Sequence, residues 1–161
     1  MLKIKYKTAL SLILLFSIFS LLAAYFIQYV LGHQPCNLCL IERIPYLISI
    51  IIISICLFFK RFEKLSLTVL ILIFFSASLI SFYHFGIEQG FIKESLVCDL
   101  SDRGTDLSKK ALLNQLKEMP VSCKDVTFKI LGLSLATFNI FISLMLSAIT
   151  MKLFLTYEKN K

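Results

Sequence analysis

Residues 33–64 read HQPCNLCLIERIPYLISIIIISICLFFKRFEK. Two cysteines, Cys36 and Cys39, follow a proline, and then come Glu42 and Arg43. The run at 44–59 is almost free of polar side chains, and Leu40 and Ile41 extend it back to about 41. At about 1.5 Å per residue, 41–59 covers roughly 28 Å, close to the hydrocarbon thickness of a bilayer. Backbone polar groups have no water to bond to in lipid, so a run of this kind crosses as a helix. The basic cluster Lys60, Arg61 and Lys64 closes it on one side, and the CxxC opens it on the other.

Outward from this stretch the same pattern repeats. Apolar runs place further spans at about 9–31, 65–87 and 128–152. The composition agrees: 161 residues, 58% hydrophobic, with 15 Phe and no Trp, and a mean hydropathy of +0.83. Soluble domains sit nearer 45–50% apolar, and a chain this short cannot hide so much apolar surface from water. The first run is preceded by Lys3, Lys5 and Lys7, as in a secretory signal. It is longer than the apolar core of such a signal, about 7–15 residues, and no small-residue cleavage site follows it, so it reads as a span. The expected fold is an all-α membrane protein: a single integral domain over 1–161, a four-helix bundle with two outer loops at about 32–40 and 88–127.

Charge gives the expected orientation. The N-terminal lysines, the 60–64 connection and Lys152, Lys159 and Lys161 all fall on one side of a four-span chain. Lys and Arg concentrate in cytoplasmic segments, so both termini are expected in the cytoplasm and both loops outside. The net charge of +7 is thereby read as topology. No nucleic-acid motif accompanies it, so nucleic acid is not an expected partner, whereas membrane lipid is.

Sorted by side, the cysteines form a pattern. Cys36 and Cys39 fall in the first outer loop, and Cys98 and Cys123 in the second. Cys56, between Ile55 and Leu57, reads as a small buried apolar residue. Four cysteines in an oxidising compartment admit three readings. They are two structural disulfides stapling the loops of a scaffold or binding protein, a zinc site of four cysteines, or an exchanging redox pair. Zinc frameworks usually join a CxxC to a second close pair, and Cys98 and Cys123 lie far apart, so no metal is expected. A CxxC at a helix start beside Arg43 favours exchange, because the helix dipole and a nearby cation stabilise a thiolate. If span two begins near Cys39, Cys39 and Arg43 are four apart and share a helix face. His84, near the outer end of span three, is an ionisable group at membrane depth, which marks a candidate site. Cys39, Arg43 and His84 at similar depth suit a quinone, whose head is polar and whose tail is apolar.

The stretches PCNLCLIER (35–43), YHFGIEQG (83–90), VCDL (97–100), PVSC (120–123) and GLSLATFN (132–139) together resemble the disulfide bond formation protein B (DsbB) family of bacterial quinone-dependent thiol oxidases. The resemblance implies an inner-membrane thiol:quinone oxidoreductase whose cofactor is ubiquinone or menaquinone. Its implied partner is a periplasmic DsbA-like thiol oxidase. Position by position, it implies that Cys39 meets the quinone, with Arg43 and His84 beside it. Cys98 would form the mixed disulfide with the partner, and Cys123 would pair with Cys98 and exchange with Cys36. Vitamin K epoxide-type reductases also use four helices and thiols, but they carry the CxxC late in the chain. In the second loop, 105–120 reads as an amphipathic helix stopped by Pro120, suited to lying on the bilayer surface. In GLSLATFN, Gly132, Ser134 and Ala136 read as small packing residues and Asn139 as an interhelical hydrogen-bonding group.

Overall fold

The computed structural model describes residues 2–59, 63–93, 122–124, 129–130 and 133–159. Cys98 and the helix expected over 105–120 lie outside the described residues.

Helix α1 runs Leu2–Tyr29, α2 Asn37–Ile41, α3 Ile44–Phe58 and α4 Glu63–Glu88. Two short strands follow, β1 (Lys129–Ile130) antiparallel to β2 (Leu133–Ser134), pairing Lys129 with Ser134 and Ile130 with Leu133. Helix α5 spans Leu135–Lys159. Among the described residues four segments are long and apolar enough to cross a membrane: Tyr6–Tyr29, Asn37–Phe58, Glu63–Glu88 and Leu135–Lys159. The chain is a mostly helical, multi-pass membrane protein, as its composition demands.

The packing order is α1 on α3, α3 on α4, and α4 on α5, the last contact being the most extensive. The core holds Leu10, Ile13, Tyr46, Ile53, Cys56, Leu67, Leu70, Phe74 and Leu146. Cys56 is buried as the sequence suggests, with the Tyr6 hydroxyl 3.5 Å from its Sγ. Leu12, Leu22, Phe82, Phe141 and Met145 point outward instead. On a soluble protein such a surface would drive association, and here it is the face that meets lipid. Small polar residues mark the inward faces. Ser17, Ser49, Ser78, Ser81, Ser143, Ser147 and Thr150 are all buried. Ser49 donates to Ser17 across α1 and α3 at 3.2 Å, and the Ser17 hydroxyl returns to the Ile13 carbonyl at 2.9 Å. Small hydroxyl residues let helices approach closely and satisfy one another in lipid.

Spans two and four start away from the sequence expectation, each for a local reason. Span two was expected as one piece over 41–59. It begins at Asn37 and is broken at Glu42–Arg43, because Pro45 has no N–H to give the Ile41 carbonyl and its ring crowds the preceding turn. The first loop is shortened accordingly. Span four, expected at 128–152, starts at Leu135 because strands β1 and β2 occupy 129–130 and 133–134. Ser134 caps α5: its hydroxyl accepts from the Thr137 N–H at 3.3 Å and lies 3.0 Å from the Thr137 hydroxyl. Ser134 is therefore a helix cap as well as a small buried residue. Span three, expected at 65–87, closely matches α4. Gly90, at φ 75°, ends that helix: the Gly90 N–H bonds the Ile87 carbonyl and the Phe91 N–H bonds the Gly86 carbonyl, each at 2.9 Å.

Candidate functional site

At the bundle end where α1 finishes and α2 begins, Pro35 leads into Cys36. Cys36 is extended (φ −72°, ψ 169°) and caps α2, its Sγ accepting from the Cys39 N–H at 3.3 Å. One turn later, Cys39 brings its Sγ to 2.8 Å from that of Cys36. Cys36 is buried, 6% exposed, whereas Cys39 is half-buried. The hydrogen bond with Cys39, and then burial, push the Cys36 thiol well above its ordinary pKa, against a smaller lowering by His84. Cys36 is thus held as the protonated thiol at neutral pH.

His84 projects from α4 onto this pair. Its Nε2 lies 3.5 Å from Cys36 Sγ, and its Nδ1 lies 2.8 Å from Glu42 Oε1. The other Glu42 oxygen accepts from Asn139 Nδ2 at 3.0 Å. Asn139, on α5, also donates to Ser81 at 2.8 Å and accepts from the Tyr46 hydroxyl. A single polar network thus ties α3, α4, α5 and the Glu42 turn together beneath the cysteines. A buried carboxylate needs this kind of saturation, because desolvation of a charge is costly unless donors surround it. Glu88 stands one turn beyond His84, its Oε1 3.7 Å from Nε2, with only 5% of its side chain exposed.

Arg43 turns the other way. It donates to Gln28 Oε1 at 2.6 Å, and its guanidinium sits 5.0 Å from the centre of the Tyr25 ring. The break before α3 removes the shared helix face expected for Cys39 and Arg43. Arg43 instead bridges to α1, stacked and hydrogen-bonded in the manner a planar guanidinium allows. Cys39 and Arg43 still meet, at a common cavity of about 420 Å³. Its polar wall includes Cys36, Cys39, Arg43, His84 and Cys123, and its apolar wall includes Phe16, Phe19, Ile27, Phe138 and Ile142. Cys123 is buried and packs with Cys36, Leu38 and Ile87. Five of the six candidate residues therefore converge, and the sixth, Cys98, lies outside the described residues.

A family model for disulfide bond formation protein DsbB matches residues 6–153. The chain belongs to the DsbB family. It is also 31% identical over 160 residues to a protein of Rickettsia prowazekii (strain Madrid E) described as uncharacterized protein RP370, covering 98% of this chain and 92% of that one. No solved structure matches. Membership in the DsbB family implies a disulfide-forming oxidoreductase set in a membrane.

Sequence reasoning missed two members of the site. Glu42 is next to Arg43 in the chain, yet it serves His84 and Asn139. Glu88 falls at the start of the outer loop expected over 88–127, yet it ends α4 with its carboxylate inside. For both, the available signal was an acid beside an apolar run, the criterion that singled out His84. Asn139 was read as an interhelical hydrogen-bonding group, and that is its place.

Proposed function

We propose that this DsbB-family chain is a thiol:quinone oxidoreductase of the bacterial inner membrane. It reoxidises a periplasmic DsbA-like oxidase and passes the electrons through two cysteine pairs. The cavity carries this reading: it joins a thiol pair, a guanidinium and an imidazole to apolar walls that open among the helices. Its volume of about 420 Å³ is within the usual range for small-molecule sites. The donor set fits a quinone, with Arg43 and His84 as hydrogen-bonding groups for the polar head and Phe16, Phe19, Phe138 and Ile142 against its apolar part. A bound quinone supplies an acceptor for two electrons and two protons.

The chain's own residues supply the rest. The partner's dithiol reduces the Cys98–Cys123 disulfide by thiolate attack at Cys98, and leaves as the partner's disulfide. Cys123 then attacks Cys36 of the Cys36–Cys39 disulfide, releasing the Cys39 sulfur, and Cys98 resolves the Cys36–Cys123 bond. The outer pair is a disulfide again, and Cys36 and Cys39 carry the electrons. Packing of Cys123 against Cys36 supports this order. So does the environment of the inner pair: the leaving Cys39 sulfur lines the cavity, while buried Cys36 takes a proton. Arg43, fixed by Gln28 and Tyr25, holds a positive charge at the cavity wall. The distribution of Lys and Arg supports cytoplasmic termini and periplasmic cysteines.

The order of exchange is tested with Cys98→Ser. It should block oxidation of the protein partner while the Cys36–Cys39 pair still oxidises small dithiols slowly with quinone present. Full activity toward the partner in this variant would overturn the relay.

A further inference from the structure

We infer that Cys36, Cys39 and His84 form, in the dithiol state, a binding site for a thiophilic divalent cation of the zinc and cadmium class. The sulfurs of Cys36 and Cys39 and a ring nitrogen of His84 lie within 4.8 Å of one another. They come from two elements that the fold presses together, α2 with its cap and α4. This is a different donor set from the four-cysteine framework that the sequence argues against.

Three features distinguish the cluster from a chance meeting of side chains. The first is spacing. Tetrahedral bonds of about 2.3 Å to sulfur and about 2.0 Å to nitrogen put ligand atoms roughly 3.5–3.8 Å apart. Cys36 Sγ and His84 Nε2 are at 3.5 Å. The two sulfurs, at 2.8 Å, need to part by only about 1 Å, a small rotation of the half-buried Cys39. The second is the histidine's outer side. Ligating histidines commonly give the far ring nitrogen to a carboxylate, which fixes the ring and raises its basicity. Here Nδ1 meets Glu42 Oε1 at 2.8 Å, and Asn139 holds the other oxygen at 3.0 Å. Nε2 is thereby turned to the sulfurs. The third is a fourth donor in reach: Glu88 Oε1 lies 3.7 Å from Nε2. Two sulfurs, one imidazole nitrogen and one oxygen suit a borderline or soft ion in tetrahedral geometry, and not magnesium or calcium.

Binding displaces the protons of both thiols. It also excludes the Cys36–Cys39 disulfide, because each sulfur makes either the metal bond or the S–S bond. Removal of two electrons from the pair by any thiol oxidant, a quinone included, forms the disulfide and releases the ion. The site is therefore redox-gated, and the ion competes with oxidation for the same two sulfurs.

The test is titration of the reduced full-length protein in detergent with cadmium chloride, following the thiolate-to-cadmium charge-transfer absorbance. One equivalent per chain is expected, and none after oxidation by diamide. His84→Gln and Glu42→Gln should each weaken binding about tenfold or more. Cys39→Ser should abolish it, whereas Cys98→Ser and Cys123→Ser should keep it. Oxidised wild-type protein serves as the control for folding, since it lacks only the free thiols. An unchanged titration in the oxidised protein or in Cys39→Ser would overturn the inference. So would dependence on Cys98 or Cys123, or no absorbance in the reduced wild type. Quinone turnover of the metal-free protein is read in the same samples. Turnover without cadmium binding removes this site and leaves the thiol oxidase; binding without turnover does the reverse.

Discussion

Cys36 and Cys39 are three positions apart and chemically unequal. Cys36 is buried, caps α2 and holds its proton, with a pKa raised first by the hydrogen bond to Cys39 and then by burial. A raised pKa leaves little thiolate at neutral pH, and the thiolate is the nucleophile. In the reduced protein Cys39 should therefore be alkylated well before Cys36, and the Cys36 rate should climb with pH into the alkaline range. Mass spectrometry of iodoacetamide-treated peptides reads both, and equal labelling at neutral pH would contradict the asymmetry. Arg43→Ala removes a charge held by Gln28 and Tyr25 at the cavity wall. The apparent KM for quinone should rise more than thiol exchange slows, as steady-state kinetics with varied quinone would show. An unchanged KM would reduce Arg43 to a residue that packs α3 on α1. Asn139→Leu strips donors from Glu42 and Ser81 and an acceptor from Tyr46. Leaving such groups unsatisfied should cost about 1–3 kcal/mol, seen as a lower Tm in detergent. At this scale the cysteines and His84 were legible, because thiols and an imidazole stand out in an apolar chain. Glu42 and Glu88 were not. Their roles depend on which neighbour faces them, and that neighbour is His84, 42 positions after Glu42.

The elements were legible wherever hydropathy alone decides. Spans one and three follow their apolar runs to within a few residues, since lipid enforces helix along the whole run. Where backbone chemistry decides, hydropathy misleads. Pro45 breaks the expected span at Glu42–Arg43 and sends Arg43 to α1. The cap at Ser134 starts α5 several residues later than its apolar run suggests. Pro45→Ala restores an N–H to the Ile41 carbonyl and should join α2 to α3. Thermal unfolding should then show an unchanged or raised Tm, because the Ile41 carbonyl gains a hydrogen-bond donor. Quinone reduction should fall several-fold, because Cys39 and Arg43 are re-aimed. Unaltered turnover would mean that the break has no part in placing them.

For the whole molecule, the polar network beneath the cysteines joins the Glu42 turn and α3 to α4 and α5, while Arg43 joins α3 to α1. All four membrane-spanning segments therefore bear on one cavity. That arrangement was not visible in the sequence, because these helices are apolar nearly all round. Their inward faces are distinguished by small hydroxyl residues such as Ser17, Ser49 and Ser143. The central claim is that this cavity takes electrons from thiols to quinone. Purified protein in detergent, supplied with a reduced DsbA-like donor and either ubiquinone or menaquinone, tests it through the quinone absorbance. Steady quinone reduction that falls to background in Cys39→Ser is the predicted result. No reduction of either quinone, with the outer cysteines staying oxidised against the reduced donor, would contradict it and leave the disulfides as structural staples.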